Sequence, residues 1–559
     1  MADAPASPKT GTGPQAGNGP SKVTLYRNGS VYTAADPFAT AMLVDGGTVA
    51  WVGSEQAATS IADSSMEIID LRGALVAPGF VDSHAHLTET GIALDSLQLG
   101  GVRSARGLLD AVAGSGGTGP VLGHGWDESH WDDPTLPSGD ELERAAGGRP
   151  VYLSRVDVHS ALVSPSLVAS AGLAGLDGYA PSGHVRREAH SAARQATRRL
   201  PVGGLQEYQR RALAEAAANG YVAVAEMGAP KISSFEDLRL AAAWNDPAGS
   251  HPMPEVLPYW GQLTSTAEDA EALLAELGVR VRGLAGDLNI DGSLGSRTAA
   301  LREPYADAPH EAGTTYLSVS EAAAHLAACS VLGIQGGFHV IGDAGLDAAL
   351  EALEAAAGEV GEQRVRAARH RFEHVEMADA DAIARLAKYS VTVSVQPVFD
   401  AAWGSQGGLY EQRLGSRSRG MNPFASFYSA GVPICFGSDT PVTPLRPWSS
   451  VRACLEHHDA GQRISARAAF LGHTRAGWRA ARYENPMAGQ LVPGAPATFA
   501  VWEVDELMVQ VADNRVQSWS TDPRARTPLL PALDTGSDPR CLQTVRDGLE
   551  LFSAGSLRG

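Results

Sequence analysis

Residues Pro78 to Leu87, PGFVDSHAHL, carry an apolar run that ends in two histidines, His84 and His86, set two apart. Along a strand, residues i and i+2 point to the same side, so both imidazoles can meet one metal ion. Other short apolar segments also close on ligand-type side chains: FHV on His339, FEHVE on His374 and CFGSD on Asp439. A single histidine after a strand is commonly a surface or hydrogen-bonded residue. The ordered set, with glycine and polar residues marking the loops that follow, describes an imidazole and carboxylate site for zinc or a similar divalent metal.

Such a site needs a fold in which several strand ends share one face. Eight apolar runs alternate with Ala, Leu and Glu-rich helical stretches: the run ending at His86, then those starting at Tyr221, Glu255, Asp287, Ile334, Arg371, Val391 and Val432. This is the pattern of a parallel sheet built from βα units. Eight repeats with polar residues at the C-terminal strand ends point to an α/β protein of the (β/α)8 TIM-barrel type, with its active site on that face. An open doubly wound sheet would gather its site at one switch point instead.

The flanks read differently. Lys22 to Thr33, Ala41 to Gly53 and Glu67 to Val76 are short strand-like segments separated by Gly, Asn and Asp turn signals, and Gln490 to Glu503 and Arg540 to Phe552 are similar. The two ends are expected to form one small β-sandwich from residues 22–77 and 488–559, around a barrel at 78–487. More than a hundred residues separate the first barrel strand from the second, too many for an ordinary βα loop, so residues from about 88 to 209 read as an inserted subdomain over the barrel mouth. Its strings GHGWDESHW and YLSRVDVHSALV place Trp126, Trp131 and His159 either against a substrate or in the packing of the insert.

Composition narrows the partners. The chain of 559 residues has 44 Lys and Arg against 63 Asp and Glu, a formal charge of −19, which argues against nucleic acid or an anionic membrane as the main partner and says little about a small-molecule substrate. No stretch reaches the roughly 18 apolar residues of a membrane span. Cys329, Cys435, Cys454 and Cys541 have no CxxC spacing and read as reduced thiols. Residues 1–21 are rich in Gly, Pro, Ala and Ser and lack the apolar core of a secretory signal, the composition of a disordered tail on a cytoplasmic protein. A homodimer is in keeping with the frequency of two-fold assemblies.

The strings PGFVDSHAHL, DGSLGSRTAAL at Asp291, HVIGDAGLDAAL at His339, RFEHVEM at Arg371 and GSDTPVTPLRPW at Gly437 together resemble the amidohydrolase superfamily, in its family 3 branch related to N-substituted formamide deformylases. The resemblance covers nearly the whole chain after the tail. It implies a metal-dependent hydrolase of carbon–nitrogen bonds other than peptide bonds, with one or two divalent ions, zinc foremost. By the same resemblance His84 and His86 hold the more buried metal, His339 and His374 are ligands from the fifth and sixth strands, and Asp439 binds metal while accepting the proton of the attacking water.

One position departs from the pattern. Many relatives carry a carboxylated lysine on the fourth strand, four residues before the Asp-Gly-Ser string, and here that position is Asp287. Aspartate supplies the charge without the reach. Asp287 bridges two metals, binds one in a closer geometry, or belongs to a mononuclear site that leaves His374 free to orient water or substrate; a ligand role is expected because an oxygen donor stays where one belongs.

Around this set, Glu226 is expected to orient a ligand histidine. Glu373 is expected to be structural, since it faces away from His374 on its strand. Asp291 and Ser293 can face the pocket, and Arg297 either holds a substrate carboxylate or fastens its loop to Asp291 or Asp343. Gln396 can hydrogen-bond substrate, and Arg446 can gate the mouth. Two other functions stay open: hydrolysis of an ester, lactone or cyclic amidine on the same site, and a catalytically silent barrel acting as a binding protein.

Overall fold

The computed structural model describes residues 23–198, 202–246, 251–510, 519–520, 528–534 and 537–557; the expected tail at 1–21 lies outside them. Eight strands run through the central part: β1 (Phe80–Ala85), β2 (Tyr221–Gly228), β3 (Glu255–Trp260), β4 (Gly283–Leu284), β5 (Gln335–Val340), β6 (Arg371–His374), β7 (Thr392–Val395) and β8 (Ile434–Phe436). Every position of β1, β2, β5, β6, β7 and β8 is buried, as in parallel sheets covered on both faces, and β6 buries Arg371, Glu373 and His374 along with Phe372.

Their ladders form two parallel sheets, ordered β3-β2-β1 and β4-β5-β6-β7-β8, instead of one continuous ring. Main-chain bonds cross both seams. Asp439 N donates to His84 O at 2.8 Å and His86 N to Thr440 O at 3.0 Å beside β1, and Arg282 N donates to Pro258 O at 2.7 Å between β3 and β4. The fourth run departs most from expectation: the strand is confined to Gly283–Leu284, and Asp287 lies beyond it. Gly286 takes a φ of 91°, and a Cβ there would stand 2.7 Å from the Met227 sulfur. The turn-forming Asp, Asn and Gly of this segment favour such a bend over a strand. Past it, Ile290 N and His339 N exchange bonds with His339 O and Leu288 O, so the segment rejoins β5.

Helices pack outside the strands and are stopped by local chemistry. Val319–Leu332 opens on a capping box between Ser318 and Glu321 and closes on Gly333 at a φ of 67°. Between β1 and β2 stands a five-stranded sheet, Leu97–Gln98 to His184–Arg186, with its own apolar core around Leu108, Trp126, Leu142 and Leu153. The helices Leu87–Asp95 and Val202–Ala218 frame it, and they meet where Gly91 has no Cβ: one would sit 2.2 Å from Tyr208 O.

Both flanks of the sequence meet in one place. A four-stranded sheet holds Val23–Arg27, Ala41–Asp45, Thr48–Gly53 and Glu67–Asp70. A five-stranded sheet joins Ser30–Val31 and Leu75–Pro78 to Phe499–Glu503, Arg540–Arg546 and Leu549–Ser553. Tyr26, Met42, Val44, Val76, Phe499, Val501 and Leu542 share one apolar cluster between them. The four cysteines are free and buried, and no helix among the described residues is long and apolar enough to cross a membrane.

Candidate active site

The C-terminal ends of β1, β5 and β6 deliver four imidazoles to one point. His84 Nδ1 donates to Glu373 Oε2 at 2.8 Å, which turns Nε2 inward, 3.5 Å from Asp287 Oδ1 and 3.4 Å from Asp439 Oδ1. His86 Nε2 lies 3.2 Å from Asp287 Oδ2 and 3.3 Å from Asp439 Oδ1. His339 donates through Nε2 to Gly292 O at 3.2 Å and presents Nδ1 to Asp287 Oδ1 at 3.7 Å. His374 donates through Nδ1 to Gln396 Oε1 at 2.7 Å, which leaves Nε2 as its free ring nitrogen. His374 and Asp439 take positive φ angles of 71° and 55°, the backbone turning sharply where the strands end.

Three overlapping ligand groups result, each with its donor atoms within 4.8 Å of one another: His84, His86 and Asp287; Asp287, His339 and His374; and His84, His374 and Asp439. Asp287 belongs to two of them. His84 Nε2 and Asp287 Oδ1 are buried without a hydrogen-bond partner, orphaned atoms that face each other across the cluster. Buried polar atoms are costly when unsatisfied, and imidazole–carboxylate groups of this spacing could hold a divalent metal.

The electrostatics agree. Burial opposes charge on His86 and His339, but Asp287 outweighs it, with Asp439 adding to the effect on His86 and Asp291 on His339; the two rings are pushed up to about 10 and about 9. Burial also opposes charge on Asp287, and His84, His339 and His86 together hold it well below the usual carboxylate range. His374 is held well below the ordinary histidine value by burial and by His339 and His84, so it is a neutral imidazole.

Several residues stand elsewhere than the sequence suggests. Glu373, expected to be merely structural, is the carboxylate that orients His84; Arg371 grips it through Nε at 2.5 Å, and against the cost of burial this pair brings Glu373 down to about 2. Glu226, expected to orient a histidine, instead accepts from Leu87 N at 2.7 Å, and burial raises it to about 7. Gln396 bonds His374, so its carbonyl is not free for substrate, while its buried Nε2 has no partner. Asp291 is fully buried and accepts from Ala300 N, Ile341 N and Gly342 N, tying two loops together without facing the pocket. Arg297 binds neither Asp291 nor Asp343 but Asp307, at 2.7 Å. Trp126 is fully buried in the core of the insert and donates to Leu153 O at 2.8 Å, away from the cavity. Arg446 pairs with Asn219, which immediately precedes β2, so it sits at the opposite strand ends from the mouth it was expected to gate.

His159 and Ser293 do reach the cavity that opens on His339, His374 and Asp439. Ser293 Oγ donates to Asp157 Oδ2 at 2.7 Å, and the His159 ring lies 5.2 Å from that of His339. Within the insert Arg155, fully buried, gathers Asp127 at 2.8 Å, Glu128 at 2.8 Å and Asp157 at 3.1 Å, and these carboxylates accept from the barrel side, Asp127 from Trp403 Nε1 at 3.3 Å and Glu128 from Arg413 Nη2 at 2.9 Å. A Cβ on Gly295 would lie 2.2 Å from Arg155 Nη1, so only glycine admits the loop after β4 to this contact.

Four further residues of the cavity escape a reading of the sequence: Glu376, Phe399, Trp403 and Tyr410. Two signals were present. Glu376 follows His374 by two, and Phe399 and Trp403 lie four apart in the segment after β7.

Comparison with known proteins places this arrangement among relatives. The sequence model of the Amidohydrolase family matches residues 67–551. Protein LONG AFTER FAR-RED 3 of Arabidopsis thaliana is 27% identical over 85% of this chain and 86% of its own. N-substituted formamide deformylase of Arthrobacter pascens is 24% identical over 75% of this chain and 81% of its own. Among solved structures, an uncharacterized metal-dependent hydrolase from Pyrococcus furiosus superposes with a TM-score of 0.66 and 27% identity, covering 86% of this chain and 98% of that one.

Proposed function

The chain belongs to the amidohydrolase family and is a metal-dependent hydrolase; from that premise we propose that it cleaves a carbon–nitrogen bond of a small, non-peptide amide. The two parallel sheets then form a (β/α)8 barrel, and the two terminal sheets a β-sandwich beside it. The observation that carries the reading is Asp287, whose carboxylate lies within reach of His84, His86 and His339 together. Its carboxylate would offer an anionic oxygen to a metal held by these histidines, and its short side chain is brought in by the bend at Gly286. The relative named N-substituted formamide deformylase supports an amide over an ester or lactone.

The residues that would hold the metal are His84, His86, Asp287, His339, His374 and Asp439, with zinc the ion that suits imidazole and carboxylate donors. A bound divalent cation supplies Lewis acidity toward a carbonyl oxygen and a water. The chain's own groups do the rest. Asp439, at the cavity edge and held through its main-chain N–H by His84 O, takes the proton of the attacking water on a carboxylate oxygen and returns it to the leaving nitrogen. His159, whose ring reaches the same cavity, is placed to donate a hydrogen bond to the substrate carbonyl.

The test is turnover of a panel of N-substituted amides, lactones and cyclic amidines by metal-stripped and reconstituted protein. Amide hydrolysis that returns with metal is expected. Equal rates with and without metal, or activity on lactones alone, would overturn the proposal.

A further inference from the structure

The segment after β7 carries Phe399, Trp403, Leu409 and Tyr410 into the cavity, and it is held near both of its ends from one place, the histidine pair that follows the helix Pro447–Glu456. We infer that His458, in its charged form, is a positioning residue that clasps this segment, and that its deprotonation opens the clasp, so that this wall of the cavity answers to pH. The clasp stands on its own geometry; its consequence for a substrate rests on the cavity being the chamber of the proposed hydrolase.

His458 Nδ1 donates to Asp400 Oδ1 at 2.5 Å, on the helix Pro397–Trp403, and Nε2 donates to Ser418 O at 3.2 Å, on the 3-10 turn Gly415–Gly420. A carboxylate and a carbonyl only accept, and a neutral imidazole has one N–H, so satisfying both takes the imidazolium. The main-chain N–H of His458 adds a bond to Asp400 Oδ2 at 2.9 Å. His457 differs: Nε2 donates to Asn422 O at 2.9 Å, and Nδ1 accepts from Asp459 N at 3.0 Å, nearer than Asp459 O at 3.2 Å, so one proton serves that ring. Donor atoms of Asp400, His457 and His458 lie within 4.8 Å of one another, as those of a metal group would. All four ring nitrogens already have hydrogen-bond partners, so a proton, not an ion, holds this cluster together.

The charged groups around His458 agree. From the helix Pro397–Trp403 it faces the buried Asp400, and from its own segment His457, whose ring stacks on it at 4.6 Å, and Asp459. On the 3-10 turn Arg417 is turned away, to Glu303 O at 2.8 Å and Pro304 O at 2.5 Å, and Arg463 Nε donates to His457 O at 3.1 Å. The Asp400 carboxylate holds His458 above the ordinary histidine value against the cost of burial, with Ser418 O and Asp459 adding to it. Burial, joined by His458 and opposed by Asp400, keeps His457 below that value. The charge on His458 is therefore complete below the ordinary value and is lost as the pH rises through the raised one. The neutral ring keeps its proton for Asp400 and releases Ser418 O. The turn so freed continues the helix Leu409–Leu414, which brings Leu409 and Tyr410 to the cavity. Other ties of the segment run through arginine, which stays charged throughout: Arg413 reaches Glu128 at 2.9 Å and Asp307 at 2.5 Å.

The experiment is hydrogen–deuterium exchange of the metal-loaded protein between about pH 6 and about pH 9, corrected for the intrinsic pH dependence of exchange and read over the turn Gly415–Gly420. Protection there is expected to fall about tenfold across that range, the scale of one charge-assisted hydrogen bond. His458→Gln, which cannot take the second proton, is expected to show the low protection at every pH with unchanged metal content. Asp400→Asn, which removes the charge that favours the imidazolium, is expected to move the fall to lower pH. A flat profile in the parent, a fall that survives His458→Gln, a fall that Asp400→Asn leaves in place, or a metal ion lost from His458→Gln would overturn the inference. Because exchange is read without turnover, a clasp that opens in a protein that hydrolyses no amide would overturn the reaction and leave the clasp standing.

Discussion

Glu373 Oε2 accepts a hydrogen bond from His84 Nδ1 at 2.8 Å, and the ring of the next residue, His374, lies 5.0 Å from that of His84. β6 thus meets His84 twice, through one side chain that belongs to the candidate ligand set and through the preceding one that anchors a candidate ligand on β1. Glu373→Gln keeps an acceptor but removes the charge that His84 leans on. Metal affinity should fall about 10- to 100-fold, read by competition with a chromogenic chelator. Affinity within threefold of the parent would contradict the role.

Asp287 lies in two ligand groups at once, so its removal should cost more than one contact. Elemental analysis of Asp287→Ala is expected to show about two metals per chain falling to one or none. A single metal in the parent, unchanged by the substitution, would show that Asp287 is not a ligand.

Gly295 admits the loop after β4 to the buried Arg155 cluster. Gly295→Ala should lose about 1–3 kcal/mol through overpacking and raise KM, because Gly295 also lines the cavity. The urea midpoint and the kinetics check both; a variant with unchanged stability would show that the loop yields freely.

Histidines buried as neutral rings outside the metal site include His325, which burial pushes down to about 4, and His370 and His473, pushed to about 3. In the unfolded chain each titrates near 6.5. Below that value the unfolded state binds more protons, so the stability these rings contribute is complete above pH 6.5 and is lost progressively as the pH falls toward their folded values. At pH 5 the loss is about 2 kcal/mol for each ring. The urea midpoint should fall steeply from pH 7 to pH 5, and a flat profile would refute the assignment.

Much of this was legible in the sequence, and for a physical reason. The ligands end buried parallel strands, where apolar runs stop abruptly at polar residues, so His84, His86, His339, His374 and Asp439 stand out by position. Asp287 was visible by its place before Asp291, but its bend was not, since it depends on Gly286 passing the Met227 side chain. Residues that act across the fold were hidden. Glu373 finds His84 through register between strands, Arg297 finds Asp307 through a loop, and Trp126 turns into the insert because its own subdomain has a core to fill. Each of these pairings joins residues far apart in sequence, except Arg297 with Asp307, whose loop has no period to betray it.

The bonds from Asp439 N to His84 O and from His86 N to Thr440 O join the first strand of the metal-bearing region to the end of the last. A growing polypeptide therefore holds His84 and His86 long before it owns Asp439, and closing so long a loop is slow and entropically costly. The complete set of ligands is among the last things the protein makes during synthesis. Metal capture then reports on finished topology: a chain truncated before β8 keeps most of its ligand residues and still lacks the centre they were meant to build.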